Sequence, residues 1–210
     1  TGGAGFIGSH LVERLVLQGH KVTVVDDLSS GKLSNLDSIK EKIQFYQMDV
    51  ASVEAESVFE GQELVFHLAA RADIVPSIVK PTEYMLANVV GTLRVLEAVR
   101  KYSINRLIYT ASSSCYGLAT EVPTSEKAPI EPMYPYALSK WMAEEMVFHW
   151  TKLYKLNALS LRLFNVYGPR ARTSGKYGAV LGVFFAQKLF EELIDFIHGV
   201  YAKSIIVPCF

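Results

Sequence analysis

The 210-residue sequence predicts an α/β fold, a doubly wound parallel sheet, on three observations. A glycine-rich turn, Gly3-x-Gly5-x-x-Gly8, opens directly into helical spacing. Short β-branched runs then alternate with longer amphipathic ones. Asp26 ends the first of those runs, eighteen residues after Gly8.

The elements follow in order. Apolar residues at three- and four-residue intervals predict a helix over residues 6–18, stopped by Gly19. Residues 21–26, rich in Val and Thr, read as a buried strand, and 28–34 as loop. Further strands are expected at 43–49, 64–69, 106–112 and 159–166. The long amphipathic helices cover 82–102 and 134–154, the second reached through a loop at 122–132 that carries three prolines. Internal repeats and low-complexity tracts are absent from the sequence.

Composition narrows the function classes. With 50% hydrophobic and 20% charged residues the chain is not intrinsically disordered. Lys+Arg and Asp+Glu both number 21, so no net field draws in nucleic acid or an anionic membrane, and neither is expected as a partner. The longest apolar run, residues 179–186, falls well short of the roughly 20 residues a membrane span needs. Cys115 and Cys209 lie far apart without C-x-x-C spacing, which argues against a zinc site or disulfide scaffold and suits a reducing cytoplasm.

The glycine turn sets the free N–H groups of a helix N-terminus where a pyrophosphate can sit, and it also reads as Gly2-x-x-Gly5-x-x-Gly8. Either pattern alone suits any glycine-rich turn. Asp26 adds the second half of the signal, a strand-end carboxylate able to bind both ribose hydroxyls and repel a 2′-phosphate, which favours NAD over NADP. Asp27 beside it is read as a solvent-facing loop carboxylate without a role.

A second constellation is Tyr136-x-x-x-Lys140 on a predicted helix, below a hydroxyl-rich strand end, Ser112-Ser113-Ser114. An i,i+4 pair shares one helix face. An ammonium there favours the phenolate and lowers the tyrosine from its usual value of about 10, as a general base requires. Such pairs are common on helix surfaces. The dinucleotide turn at one end and the serines at a strand's carboxyl end place this one in the crevice where α/β sheets bind ligands.

With these residues in view, the sequence resembles the extended short-chain dehydrogenase/reductases that act on nucleotide sugars, above all the UDP-sugar 4-epimerases. Six blocks carry the resemblance, in the family's order: TGGAGFIG at 1–8, FHLAA at 66–70, NVVGT at 88–92, ASSSCYG at 111–117, YPYALSK at 134–140 and RLFNVYGPR at 162–170. It extends from Thr1 to about Leu189 and implies a Rossmann-like domain with NAD as cofactor. Carried over by position, Ser112 is the catalytic hydroxyl, Tyr136 the base and Lys140 its partner, which also touches the nicotinamide ribose. Gly2, Gly5, Phe6, Ile7, Gly8 and Asp26 would hold NAD, with Asp49 and Val50 flanking adenine. Leu68, Ala69 and Ala70 would line its diphosphate-ribose side, and Asn88 the nicotinamide half. Ser112, Ser113 and Tyr136 would face the sugar, and Asn165 the substrate diphosphate.

The implied reaction is a borrowed oxidation. Tyr136 takes the proton of the sugar's 4-hydroxyl as hydride leaves C4 for NAD, the 4-keto sugar turns over, and hydride returns to the opposite face. Related 4,6-dehydratases carry Asp-Glu after the catalytic hydroxyl, where this sequence has Ser113 and Ser114. Decarboxylases of the family usually carry an acid in this stretch too, so an epimerase acting on UDP-glucose/UDP-galactose or their N-acetyl forms is preferred. A dehydratase or decarboxylase is one alternative, and an inactive fragment with weak NAD affinity another. A homodimer through the two long helices is expected from the resemblance alone.

Other chemistry-bearing residues are expected to be structural. None of the five histidines forms a metal pair, and His67, inside an apolar strand, reads as packed and hydrogen-bonded. Cys115 reads as core filling, with no base or helix end at hand to make a thiolate. Phe184, Phe185, Phe190 and Phe196, with Trp141 and Trp150, read as packing.

Both ends depart from the family pattern. A central first strand is expected ahead of Thr1 in the order 3-2-1-4-5-6, and without it the sheet should open in the middle. That strand's side chains are worth roughly 10 kcal/mol, comparable with a domain's whole stability of about 5–15 kcal/mol, so the chain is expected to fold poorly alone. After Leu189, Asp195-Phe196-Ile197-His198 is similar to a family block whose arginine is here Ile194. Residues 1–189 are thus expected to form the NAD-binding domain and 190–210 a vestige of the substrate domain or an aberrant tail.

Overall fold

The computed structural model describes residues 1–119 and 121–171. The boundary expected at 189, the change at Ile194, Cys209 and the phenylalanines from 184 to 196 lie outside the described residues.

The helix that follows the glycine turn, α1 (Phe6–Leu17), leads into β1 (Val22–Asp26) and β2 (Ile43–Gln47). Next come β3 (Leu64–His67) and a short helix α2 (Ile74–Val79). One long helical segment then begins as α3 (Pro81–Tyr84), widens through a π-helical stretch (Met85–Val90) and ends as α4 (Gly91–Lys101). β4 (Arg106–Ser112), α5 (Pro135–Tyr154) and β5 (Ala158–Leu163) follow. All strand pairs are parallel, as expected for crossovers made by helices.

Val24 and Val25 point to opposite faces of β1, and each belongs to a different core. Val24 packs with Ala4, Val12, Leu36 and Ile39 beneath α1. Val25 joins Phe59, Val65, Val95, Leu107 and Val147 beneath α4 and α5. Helices therefore cover both faces, which is what doubly wound means.

The sheet is split in two, β1 with β2 and β3 with β4 and β5. Between β1 and β3 lies a cavity of about 970 Å³ whose side walls are the unpaired edges of residues 22–25 and 64–66. Leu11, Val12 and Leu15 of α1 and, from the opposite layer, Val58 and Phe59 close it above and below. This is the opening expected in the middle of the sheet. Thr1 and Gly2 bridge its carboxyl end: Thr1 N donates to the Phe66 carbonyl (2.8 Å), Leu68 N to the Thr1 carbonyl (3.2 Å) and Gly2 N to the Val25 carbonyl (2.8 Å).

Candidate active site

The glycine turn is built for close approach. Gly2 has φ +72°, and a Cβ on it would stand 2.5 Å from the Ala69 main-chain nitrogen. A Cβ on Gly8 would overlap the Gly2 carbonyl. Gly5 caps α1 without a side-chain hydrogen bond, leaving the first-turn N–H groups available to an anion. Asp26 is buried and fixes the turn to β1: its carboxylate accepts from Ala4 N and from Leu28 N, both at 2.9 Å.

Beside this turn opens a cleft of about 230 Å³. It brings together Gly2, Gly5, Asp26, Asp49 and Val50 with Leu68, Ala69 and Ala70, eight of the cofactor residues expected from the sequence. Phe6, Ile7 and Gly8 support the turn without lining the cleft. Asp27, given no role from the sequence, does line it, as do Arg71 and Glu83, whose side chains pair at 3.5 Å. The larger cavity between β1 and β3 is a different feature, walled by strand edges.

Asn88 is buried on the π-helical stretch with its amide engaged by protein. It accepts from Arg71 N (2.8 Å) and donates to the Arg71 carbonyl (3.0 Å) and Ser139 Oγ (2.8 Å). It thereby ties the loop after β3 to α5. Leu86 and Ala87 of the same stretch face the cleft.

The second cluster sits at the carboxyl end of β4. Ser112 caps the turn that follows, accepting from Ser114 N at 3.2 Å, with the Ser112 and Ser114 hydroxyls 2.8 Å apart. The Ser112 hydroxyl also lies near enough to the Tyr136 phenol to favour its ionised form, and Ser113 is half-buried beside it. Tyr136 lies in the first turn of α5, where its N–H is satisfied by Ser77 Oγ of α2 at 3.1 Å. Lys140 follows one turn later, buried, its ammonium 4.5 Å from the centre of the Tyr109 ring. Asn165 is exposed beyond β5.

The electrostatics differ from the expectation that Lys140 would lower the Tyr136 phenol. Burial, and after it the charge of Asp73, push Tyr136 above its ordinary value, with the nearby Ser112 hydroxyl acting the other way. Lys140 is itself lowered to about 7, by burial first and against the pull of Glu144. Desolvation is the largest cause of both shifts because both groups are enclosed.

The remaining residues behave as structure. His67 is held neutral by burial and lies between Thr1 Oγ1 (2.7 Å) and Thr92 Oγ1 (3.0 Å). Burial raises the Cys115 thiol. Trp150 packs on the larger core and donates to Glu97 at 2.8 Å. Among the described residues no helix is long and apolar enough to cross a membrane.

Fold and site together define a doubly wound dinucleotide-binding domain with a serine–tyrosine–lysine cluster at the carboxyl ends of its strands. Residues 1–193 match the model of the NAD dependent epimerase/dehydratase family, and the chain belongs to that family. It is 39% identical over 185 residues, 86% of this chain, to the UDP-glucose 4-epimerase of Mycolicibacterium smegmatis. Two solved structures superimpose over 99% of the chain. One is the UDP-N-acetylglucosamine 4-epimerase of Methanobrevibacter ruminantium with UDP-N-acetylmuramic acid (TM-score 0.90, 32% identity). The other is the UDP-glucose 4-epimerase of Thermotoga maritima with UDP-glucose (TM-score 0.89, 34% identity). The chain spans 59% of the length of the first relative and 67% of each of the other two. NAD is the family's cofactor, and the residues fit it: a turn whose glycines leave room that a Cβ would fill, a free helix N-terminus and a strand-end carboxylate.

Proposed function

We propose that the protein is an NAD-dependent nucleotide-sugar 4-epimerase acting on UDP-glucose/UDP-galactose or their N-acetyl forms through a transient 4-keto sugar. The observation that carries the reading is the grouping of Ser112 at the end of β4, Tyr136 in the first turn of α5 and buried Lys140 one helical turn on, at the same strand ends as the glycine turn. NAD, when bound, supplies reversible hydride acceptance. The chain's own part is to move one proton. Tyr136 holds it at the phenol oxygen, and Ser112 donates a hydrogen bond that favours the phenolate as the sugar's 4-hydroxyl is deprotonated. Lys140 provides the positive charge on the same helix face. Asp26 would orient the adenosine ribose, the N–H groups of α1 the cofactor diphosphate, and Asn165 the substrate diphosphate.

Ser113 and Ser114 support epimerisation over dehydration, because elimination of water needs an acid and a base that hydroxyls do not supply. A buried free thiol at Cys115 suits a reducing compartment, the cytoplasm. The test is to incubate the chain with NAD and UDP-galactose or UDP-N-acetylgalactosamine and to separate the products. Gluco epimers are expected. A 4-keto-6-deoxy product replaces the reading with dehydration, and no product from either sugar replaces it with an inactive domain.

A further inference from the structure

Lys140 is an enclosed cation, 5% exposed, and among the described residues no carboxylate comes within ion-pairing distance of it. The titratable groups packed around it come from three elements. β4 supplies Tyr109, whose ring lies under the ammonium, and β3 supplies His67, 5.7 Å from the Tyr109 ring centre to centre. α5 supplies Tyr136 one turn before and Glu144 one turn after, on the same face. Burial keeps His67 neutral and raises both phenols; among the described residues Glu144 is the charge that acts on Lys140, while the Thr1 ammonium acts on His67 and Asp73 on the Tyr136 phenol.

Glu144 is held unusually firmly for a helix carboxylate. It is 2% exposed. Arg162 Nε donates to its two oxygens at 2.9 and 3.1 Å, and Ser160 Oγ donates at 2.6 Å. Arg162 in turn reaches Tyr116 Oη at 2.8 Å and the Glu126 carbonyl at 3.3 Å. One guanidinium therefore joins β5, α5, the turn after Ser112 and the proline-containing loop. Burial works against its charge, but hydrogen bonds to Tyr116 and Glu144 outweigh that and hold it above its ordinary value.

We propose that Glu144, locked by Arg162 and Ser160, is the positioning residue that keeps Lys140 charged, and that Arg162 sets how much of the Glu144 field Lys140 receives. The inference rests on the proposed role of Lys140 beside Tyr136. Burial alone would strip the proton from an ammonium with no anion within reach; a carboxylate one turn away returns it, and a guanidinium on that carboxylate meters the effect. The direction of the Lys140 shift, lowered by burial and raised by Glu144, agrees.

The test follows the Lys140 side-chain titration by 13C and 15N NMR of lysine-labelled chain, assigned with Lys140→Arg. It needs neither NAD nor sugar, so a chain that turns over no substrate leaves it intact. Glu144→Gln is expected to lower the Lys140 midpoint by about one pH unit or more. Arg162→Gln should raise it, and Glu145→Gln, at an exposed neighbour, should leave it in place. Unfolding would carry Lys140 up towards an ordinary lysine, opposite to the Glu144→Gln shift. If that variant does not fold, Glu144→Asp and Arg162→Gln decide, with a retained midpoint in the first and a raised one in the folded second expected. A midpoint in Glu144→Gln equal to the parent's, or a folded Arg162→Gln that does not rise, overturns the proposal.

Discussion

Lengthening the chain tests the fold more sharply than damaging it. Thr1 and Gly2 already form the last rungs of a parallel strand between β1 and β3. Main-chain groups alternate sides along a strand, so Thr23 and Val25 turn theirs into the gap from one side and Leu64 and Phe66 from the other. A Val/Ile pentapeptide fused ahead of Thr1 continues that register. Its last residue would donate to the Thr23 carbonyl and accept from Val25 N, and the one before would donate to Leu64 and accept from Phe66. Those four bonds are worth about 1 kcal/mol each, and five aliphatic side chains buried on both faces roughly 10 kcal/mol. Ordering five residues costs about 5–10 kcal/mol, so a net gain on the order of 5 kcal/mol remains. At about 2–4 °C per kcal/mol that is a rise in Tm of about 10–20 °C. Thermal unfolding by circular dichroism measures it, and amide exchange at Val25 and Phe66 localises it. An unchanged Tm with both amides still exchanging freely would refute the pairing; an Asp/Gly pentapeptide should give no gain.

Three further outcomes are expected. Gly8→Ala, whose Cβ overlaps the Gly2 carbonyl, should cost about 1–3 kcal/mol and weaken NAD binding at least about tenfold, read by denaturant unfolding and calorimetric titration; parental affinity would remove the turn as the cofactor's cradle. Tyr136→Phe should lose about a hundredfold or more of epimerisation while NAD affinity holds, and retained turnover would dismiss Tyr136 as the base. Lys140 titrates near 7 folded against about 10.5 for an ordinary lysine, so the unfolded chain binds more protons between those values. Stability should therefore climb as pH rises from 7 to 9.5, with the full penalty present below 7, and neutral buried His67 should add to the loss below about 6.5; a denaturation midpoint flat or falling over pH 7–9.5 would contradict both the burial and its sign.

What could be read from the sequence was what local pattern controls. β4 begins and ends where expected, at Arg106 and Ser112, because partners on both sides hold its whole run in register. The glycine turn and Asp26 were legible because only a small set of residues permits that backbone approach. The helix expected over 82–102 exists, but its π-helical stretch adds a single residue to one turn, too small a change of period to see. α2 was not foreseen: Ile-Val-Pro-Ser-Ile-Val has poor helix propensity, and its place is set by tertiary contact, Ser77 meeting Tyr136 N. Glu144 and Arg162 escaped notice for a similar reason. They are eighteen residues apart, one on a helix and one on a strand, and no local spacing announces the pair. Arg71 and Glu83 enter the cleft through a loop and helix whose approach depends on Asn88.

The spacing Tyr136-x-x-x-Lys140 picked out two neighbours on one face of α5 but not the balance between them. The phenol is raised by its enclosure, and the ammonium rests on the Tyr109 ring. The group that lowers the phenol in this structure is Ser112, whose nearby hydroxyl favours the phenolate. That ordering can be measured. In the cofactor-free chain, Ser112→Ala should raise the Tyr136 midpoint further, followed by tyrosine 13C NMR with Tyr136→Phe for assignment, whereas Lys140→Met should move it less. If Lys140→Met produced the larger rise, the ammonium would already govern the phenol and burial would be secondary. If Ser112→Ala does, the serine is the working partner of the base at rest, and the charge on Lys140, poised near neutrality with Glu144 behind it, is the quantity left for the rest of the site to set.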